Sequence, residues 1–519
     1  MPPVSHPRRW WILGVLILSL LTVSLDNTVL NVALPTISQE LGATTGELQW
    51  MVDAYVLVFA GLLLTAGAVG DRLGRRRLML SGLVLLGGGA MASSLASAPV
   101  QLILLRALMG LGAALVMPST LSILSSVFSP EERPKAIAAW TAVAGLGIVA
   151  GPVIAGWLLE HASWTSIFLV NVPVVAAAIV ATLVIVPESR DTSRGLDPVA
   201  SGLSMTGLIA LVWSIIEAPA RGWLAPEIVG PFVGAVILLA AFVIWELRAP
   251  APMLDVRLFG TPAFSAAVLA ITLSSFGLFG SVFFLTQYMQ VVLGYATLET
   301  GVKILPLAVA MAVASPLSAV LAGRLGTRSV VAGGLVLTAL GLVVLSHASV
   351  DGGYGPVAIT LALFGAGMGL SMTPVTSVMI AALPRGRAGI ASALNGTTRE
   401  IGGALGVAVL GSIATPIYSD HVAPIAQALP APAGEVVRGS VAGAAAVAAQ
   451  LPAGMGAGVL DAARQAFVSG MDVAVLAGAV VTLAGALVAF TQLPARASRM
   501  SPTPQPAPVE GLAANEALA

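Results

Sequence analysis

Four places in this chain carry ionisable residues inside stretches that are otherwise apolar. Asp26 lies within the run 10–34, Asp53 near the start of 48–69, Arg106 within 100–125, and Arg399-Glu400 in the middle of 388–413. Charges in a hydrocarbon setting are rare and usually mark an ion or substrate path. A carboxylate shielded from water exchanges its proton closer to neutral pH than one in solution, so Asp26, Asp53 and Glu400 are candidate proton carriers. A lone buried cation requires an acid, and for Arg106 the candidates are Asp26 and Asp53. The alternative for Asp26 is a static helix–helix hydrogen bond to Asn27, Asn31 or a neighbour; Asp53 alternatively faces outside water. Adjacent helical residues point about 100° apart, so Arg399 and Glu400 do not both face one neighbour. Either Glu400 faces a cavity and helps bind a cation, or the two residues make separate structural pairs. Asn27, Asn31 and Arg399 are candidate substrate contacts. Glu217, just before Arg221, reads as half of a pair at a membrane rim.

Other chemistries are excluded. The chain has no cysteine, which removes disulfides, thiolate catalysis and cysteine-ligated metals. Its four histidines are scattered and make no metal cluster. No G-x-x-x-x-G-K-[ST] loop is present, so ATP is not the energy source. The expectation is a non-enzyme without cofactor, energised by a proton gradient.

The elements that position these residues follow from composition. Of 519 residues 57% are hydrophobic and 9% charged, against about 25% charged in soluble domains. Soluble enzymes and nucleic-acid binders are thereby excluded, and the net charge of +0 offers no basic excess for nucleic acid. Apolar runs of about 20 residues recur about fourteen times: 10–34, 48–69, 77–97, 100–125, 135–158, 166–186, 198–218, 226–247, 264–290, 301–322, 329–347, 355–380, 388–413 and 472–493. None alternates as barrel strands do, so the expected fold is an all-α polytopic membrane protein. The first run is longer than a signal peptide's apolar region and lacks a cleavage site, so it reads as an uncleaved span.

With fourteen spans, eighteen of the 24 Lys and Arg residues fall on one side of the alternating loops, four on the other and two, Arg106 and Arg399, inside spans. The positive-inside rule makes the first side cytoplasmic, with both termini inside the plasma membrane (the cell inner membrane). At 1.5 Å per residue and a core of about 30 Å, Asp26 and Arg106 sit roughly 22 and 21 Å from the cytoplasmic face and Asp53 at a similar depth, so three ionisable groups share one level. Residues 414–471, rich in Ala, Gly and Pro, read as an extracellular segment, and the Pro-rich 496–519 as a disordered cytoplasmic tail.

An offset of 252 superimposes 41–76 on 293–328 without a gap, placing Leu73-Gly74 on Leu325-Gly326, Arg72 on Arg324 and Arg76 on Arg328. Two pseudo-symmetric six-helix bundles are therefore expected, 1–190 and 263–495, with two inserted helices in 191–262. Paired six-helix halves with a substrate site at their interface are a transporter architecture.

The loop after the second span reads Gly67-Ala68-Val69-Gly70-Asp71-Arg72-Leu73-Gly74-Arg75-Arg76. Its glycines permit a tight turn, Asp71 is expected to accept hydrogen bonds at the start of the third span, and the arginines are expected to exchange acid partners between conformations. Gly147, Gly151, Pro152 and Gly156 space small residues for close helix contact, and Pro152 removes one backbone hydrogen bond from the fifth span.

These segments resemble the motifs of the major facilitator superfamily, and specifically its fourteen-helix drug:proton antiporters. The loop Gly67 to Arg76 is similar to the superfamily's signature loop. Leu25-Asp26-Asn27-Thr28-Val29-Leu30-Asn31 through Pro35 resembles the first-helix motif, Arg106 with Gly110 and Gly112 the fourth, Gly147 to Gly156 the antiporter motif of the fifth, and Phe168 to Pro173 the sixth. The resemblance spans about residues 10–495. It implies proton coupling through Arg106, a fifth helix that seals the interface between halves, and export of small amphipathic or cationic compounds (drugs, antibiotics, dyes) by alternating access. The expected partners are a small-molecule substrate, protons and membrane lipids, around a monomer. An exporter of a lipid or a single metabolite would use the same fold; a non-transporting receptor would not need Asp26 and Arg106 within the bilayer.

Overall fold

The computed structural model describes residues 6–41, 43, 45–129, 131–190, 197–249, 252, 254–382 and 388–495. The expected tail 496–519, Arg194, Arg385 and Arg387 fall outside them, as do the side chains of Asn27, Asn31 and Pro152. All regular structure among the described residues is helical, with no strand among them. The first copy consists of α1 (Arg9–Leu41), α2 (Thr45–Leu73), α3 (Arg75–Ser93), α4 (Pro99–Val127), α5 (Arg133–His161) and the broken pair α6 (Ser166–Leu169) and α7 (Asn171–Ile185). Then come α8 (Pro198–Arg221) and α9 (Pro226–Arg248). The second copy holds α10 (Pro262–Gln287), α11 (Thr297–Lys303), α12 (Leu305–Leu325), α13 (Thr327–Leu345), α14 (Tyr354–Ala382) and α15 (Ala388–Gln427), with α16 (Ala431–Gly439) and α17 (Val441–Ala448) leading to α18 (Ala453–Gln492).

All fourteen expected spans are present as helices. Among the described residues, twelve spans are long and apolar enough to cross a membrane. The other two, α3 and α5, are continuous helices of 19 and 29 residues that carry arginines in their first turns.

The repeat is visible helix by helix. Helix α2 at the offset of 252 becomes 297–325, the combined extent of α11 and α12, and α3 becomes 327–345, the extent of α13. The turns between them are matched too. Gly74 and Gly326 both have positive φ, 117° and 88°, a region that glycine enters without a Cβ penalty. Packing repeats as well: α2 on α4 and α3 on α4 correspond to α12 on α14 and α13 on α14, while α1 on α5 corresponds to α10 on α15. The two copies meet reciprocally, α5 lying on α11, α12 and α14, and α15 lying on α2 and α4. Helix α8 packs on α2 and α15, with α9 outside it. The ends of the bundle are tied to basic loops of one side, His6 N donating to Val127 O and Thr327 N to Ala495 O.

The segment 414–471 is helical, which its Gly and Pro content disguises. Helices α15 and α18 each run for 40 residues, about 60 Å at 1.5 Å per residue, or twice the hydrocarbon core. They project as a pair of stalks joined by α16 and α17. Buried Tyr418, Val422, Val437, Val441 and Val459 extend the apolar core of the second copy into this cap, and the Tyr418 hydroxyl donates to Val437 O at 2.8 Å.

Close helix contact rests on glycines at corresponding places. A Cβ on Gly147 or Gly151 would meet Ser24 or Thr28 of α1; one on Gly402 or Gly406 would meet the backbone of Thr272 or Phe276 of α10. Both pairs are four residues apart and are related by an offset of 255. A backbone neighbour cannot yield as a side-chain tip can, and overpacking a membrane core costs about 1–3 kcal/mol. Gly406→Ala is therefore expected to lower the thermal midpoint in detergent, whereas Gly411→Ala, on the same helix with nothing within 4 Å of its Cβ position, leaves it unchanged or raises it. Equal midpoints for the two variants would contradict this packing.

Candidate functional site

The geometry centres on Arg106 of α4. Its Nη1 donates to Asp26 Oδ2 of α1 at 2.7 Å, and its Nε donates to the Met51 carbonyl of α2 at 3.1 Å. The guanidinium carbon stands 4.3 Å from the ring centre of Tyr55, also on α2, in reach of a cation–π attraction. Three helices thus meet at one cation. Gly110, one turn beyond Arg106, brings α4 against the backbone of Tyr55, where a Cβ would stand 2.5 Å from the Tyr55 carbonyl oxygen. Of the two acids in contention for Arg106, Asp26 is bonded to it; Asp53, on α2, is half-buried.

Asp26 is held at this angle by the glycine contact behind it. Ser24 and Thr28 lie against Gly147 and Gly151 of α5. A residue two positions from Ser24 is turned by about 200°, so Asp26 points away from α5 and toward α4. Gly156, further along α5, lies against Leu298 of α11 in the other copy. One face of α5 therefore supports the ion pair while another joins the halves.

The loop between α2 and α3 differs in detail from expectation. Helix α2 continues to Leu73, so Asp71 belongs to its last turn and not to the start of the third span. Asp71 Oδ1 accepts from Arg75 Nε at 2.9 Å and from the Ser122 hydroxyl of α4 at 3.1 Å. The acid at the start of α3 is Glu188, from beyond α7. It accepts from Arg76 N at 3.1 Å and lies where a Cβ on Gly74 would stand, 2.8 Å from Oε1. A carboxylate at a helix N-terminus is stabilised by the helix dipole. Arg76 also donates to the Leu183 carbonyl at 2.6 Å, Gly67 is buried one turn before Asp71, and Arg72 is exposed. Nearby, Arg9 of α1 pairs with Glu132 at 2.7 Å. The rim pair is formed as expected, Arg221 Nε to Glu217 Oε2 at 2.7 Å.

Arg399 and Glu400 on α15 correct the sequence reading, which allowed each a separate partner. They bond to each other, Nη2 to Oε1 at 3.0 Å. The 100° between adjacent Cβ directions constrains the first bond only; an arginine side chain is long enough to curl back. Arg399 Nη2 also reaches Met117 Sδ of α4 at 3.8 Å, and Ser392 and Gly396, on the same side of α15, touch Met117 and Leu63. The two charge pairs differ in access: side chains of Arg106 and Asp26 are 1% and 3% exposed, those of Arg399 and Glu400 18% and 12%. Tyr55 lies within electrostatic reach of all four charges.

Sequence reasoning missed Tyr55, Ser122 and Glu188. An aromatic or a serine on an apolar helix carries no sign of what it faces. Glu188 was legible in principle, as the first acid after a span whose end must return to the arginine-rich loop.

Residues 16–407 match the Major Facilitator Superfamily. Among curated proteins, the chain is 38% identical over 487 residues to a multidrug efflux pump, LfrA, of Mycolicibacterium smegmatis, covering 93% of this chain and 95% of that one. It is 34% identical to the tetracenomycin C resistance and export protein of Streptomyces glaucescens, covering 93% and 92%. Among solved structures, the human organic anion transporter MFSD10 (TETRAN) shares the fold, with a TM-score of 0.64 at 14% identity over 93% of this chain and all of that one.

Removing one partner of a buried ion pair typically costs about 3–5 kcal/mol because the other charge is left uncompensated. Asp26→Asn and Arg106→Gln are each expected to lower thermal stability in detergent, and the double variant to be less destabilised than the sum of the two by at least about 1 kcal/mol. Strict additivity would show that neither residue holds the other.

Proposed function

This chain belongs to the Major Facilitator Superfamily, and from that premise we propose that it is a proton-coupled antiporter exporting small amphipathic or cationic compounds across the plasma membrane. The observation that carries the reading is the sealed Arg106–Asp26 pair. A carboxylate and a guanidinium withdrawn from water carry a desolvation cost that a purely structural contact between three apolar helices does not require. The names of the relatives support the drug-export side: a multidrug efflux pump and an antibiotic resistance and export protein.

In this mechanism 1–190 and 263–495 are two six-helix halves that rock about the contacts of α5 and α15, with both termini cytoplasmic and the protein working as a monomer. A proton arriving on Asp26 neutralises the partner of Arg106. The charge pairing is then lost, the Met51 carbonyl and the Tyr55 ring are the cation's remaining strong partners among the described residues, and the hold of α1 on α4 is weakened. Tyr55 shares its surroundings with the Arg399–Glu400 pair, so the change is felt at the face between the halves. Asp71, Arg75, Ser122 and Glu188 hold the far end of α2, α3 and α4 in one conformation that the cycle must revisit, and weakening that hold depopulates this state and slows the return to it.

Two measurements test this. In proteoliposomes, Asp26→Asn is expected to abolish ethidium efflux driven by a pH gradient while retaining exchange of labelled for unlabelled dye; full gradient-driven efflux would remove Asp26 from the proton path. Asp71→Asn is expected to slow transport about tenfold with equilibrium dye binding unchanged. Weakened binding with undiminished turnover of bound dye would contradict the locking role.

A further inference from the structure

Resting on the export reading, the Arg399–Glu400 pair shows how the site chooses its cargo. Glu400 is a partly accessible carboxylate on the face of α15 that meets the other half, and one of its two oxygens, Oε1, already accepts from a cation of its own chain. That cation is poorly satisfied. Arg399 has five donors, yet its Nε is buried with no hydrogen-bond partner among the described residues, and Nη2 shares Glu400 only with the sulfur of Met117, a weak acceptor. A guanidinium so held is easily displaced, because little is lost when it leaves. The sealed pair at Arg106 shows the contrast: there Nη1, Nε and the ring face are all engaged.

We infer that Arg399 is a built-in competitor for Glu400, filling the carboxylate when no substrate is present and yielding it to a lipophilic organic cation. Self-occupation lowers the apparent affinity for such cations by the fraction of time that Glu400 is free. It also leaves no bare carboxylate when the site is empty, and it sets a threshold that only cations bringing enough apolar contact can cross. A neutral ligand has no such competition with Arg399.

The test is equilibrium binding to the purified protein in detergent, with ethidium as the cationic probe and Nile red as the neutral one. Arg399→Gln is expected to tighten ethidium binding about tenfold and leave Nile red unchanged. The gain should vanish in Arg399→Gln/Glu400→Gln, and Arg399→Lys should stay within about twofold of the native protein. Because Arg399→Gln leaves Glu400 bare and risks misfolding, phenylglyoxal modification of Arg399 in the native chain, mapped by mass spectrometry, is a second measure. Ethidium should increase it. Weakened or unchanged ethidium binding in Arg399→Gln, an equal gain without Glu400, or ethidium protection of Arg399 would overturn the inference. Such a result with native pH-driven ethidium efflux intact defeats only this inference; absent native efflux defeats the export reading on which it rests.

Discussion

Everything in this structure is arranged around one costly contact, a guanidinium and a carboxylate held together where water does not reach. Arg106 and Asp26 come from helices α4 and α1, and a third helix, α2, supplies a carbonyl and an aromatic face. The attraction offsets the desolvation of two charges only if the geometry is kept. The glycines supply that geometry. Gly110 sets the approach of α4 to α2, and Gly147 and Gly151 set the approach of α5 to α1 and thereby the direction in which Asp26 points. In the proposed antiport mechanism, a contact this demanding is what lets a single proton change the conformation.

The duplicated architecture explains where the charges are and are not. The glycine pair Gly147 and Gly151 recurs as Gly402 and Gly406, and the turn glycine Gly74 as Gly326. The scaffold is therefore symmetric, but the chemistry is not. Arg106 has Leu361 at its counterpart position by the offset of 255, and Arg399 and Glu400 stand where the first copy has Ala144 and Gly145. Each half keeps the shared packing and carries a different charge pair, one sealed and one accessible. This division matches two tasks that a coupled transporter must keep apart, holding a proton away from water and meeting a ligand that arrives through it.

Much of this was legible in the sequence because membrane helices impose few degrees of freedom. Counting spans and placing basic residues gave the depths of Asp26, Asp53 and Arg106, which put both acids in contention for the arginine; only the side-chain geometry chose Asp26. The repeat was legible because 41–76 and 293–328 align without a gap. What was hidden depended on side-chain reach or on loop return. Arg399 curls back onto its neighbour, which Cβ directions do not reveal. Glu188 arrives at α3 from more than a hundred residues away, and Asp71 stays inside α2 because the helix continues past the expected boundary. The stalks of α15 and α18 were hidden because Pro416 and Pro424 sit inside a helix that tolerates them.

The central claim is that Asp26 exchanges its proton with the binding of substrate. The most direct measurement is the pH change of a weakly buffered detergent solution of the purified protein when ethidium is added. The proton-carrier role predicts release of a proton on binding in the native protein and its loss in Asp26→Asn at saturating dye. Undiminished release from Asp26→Asn, or native binding with no release at any pH near neutrality, would contradict it.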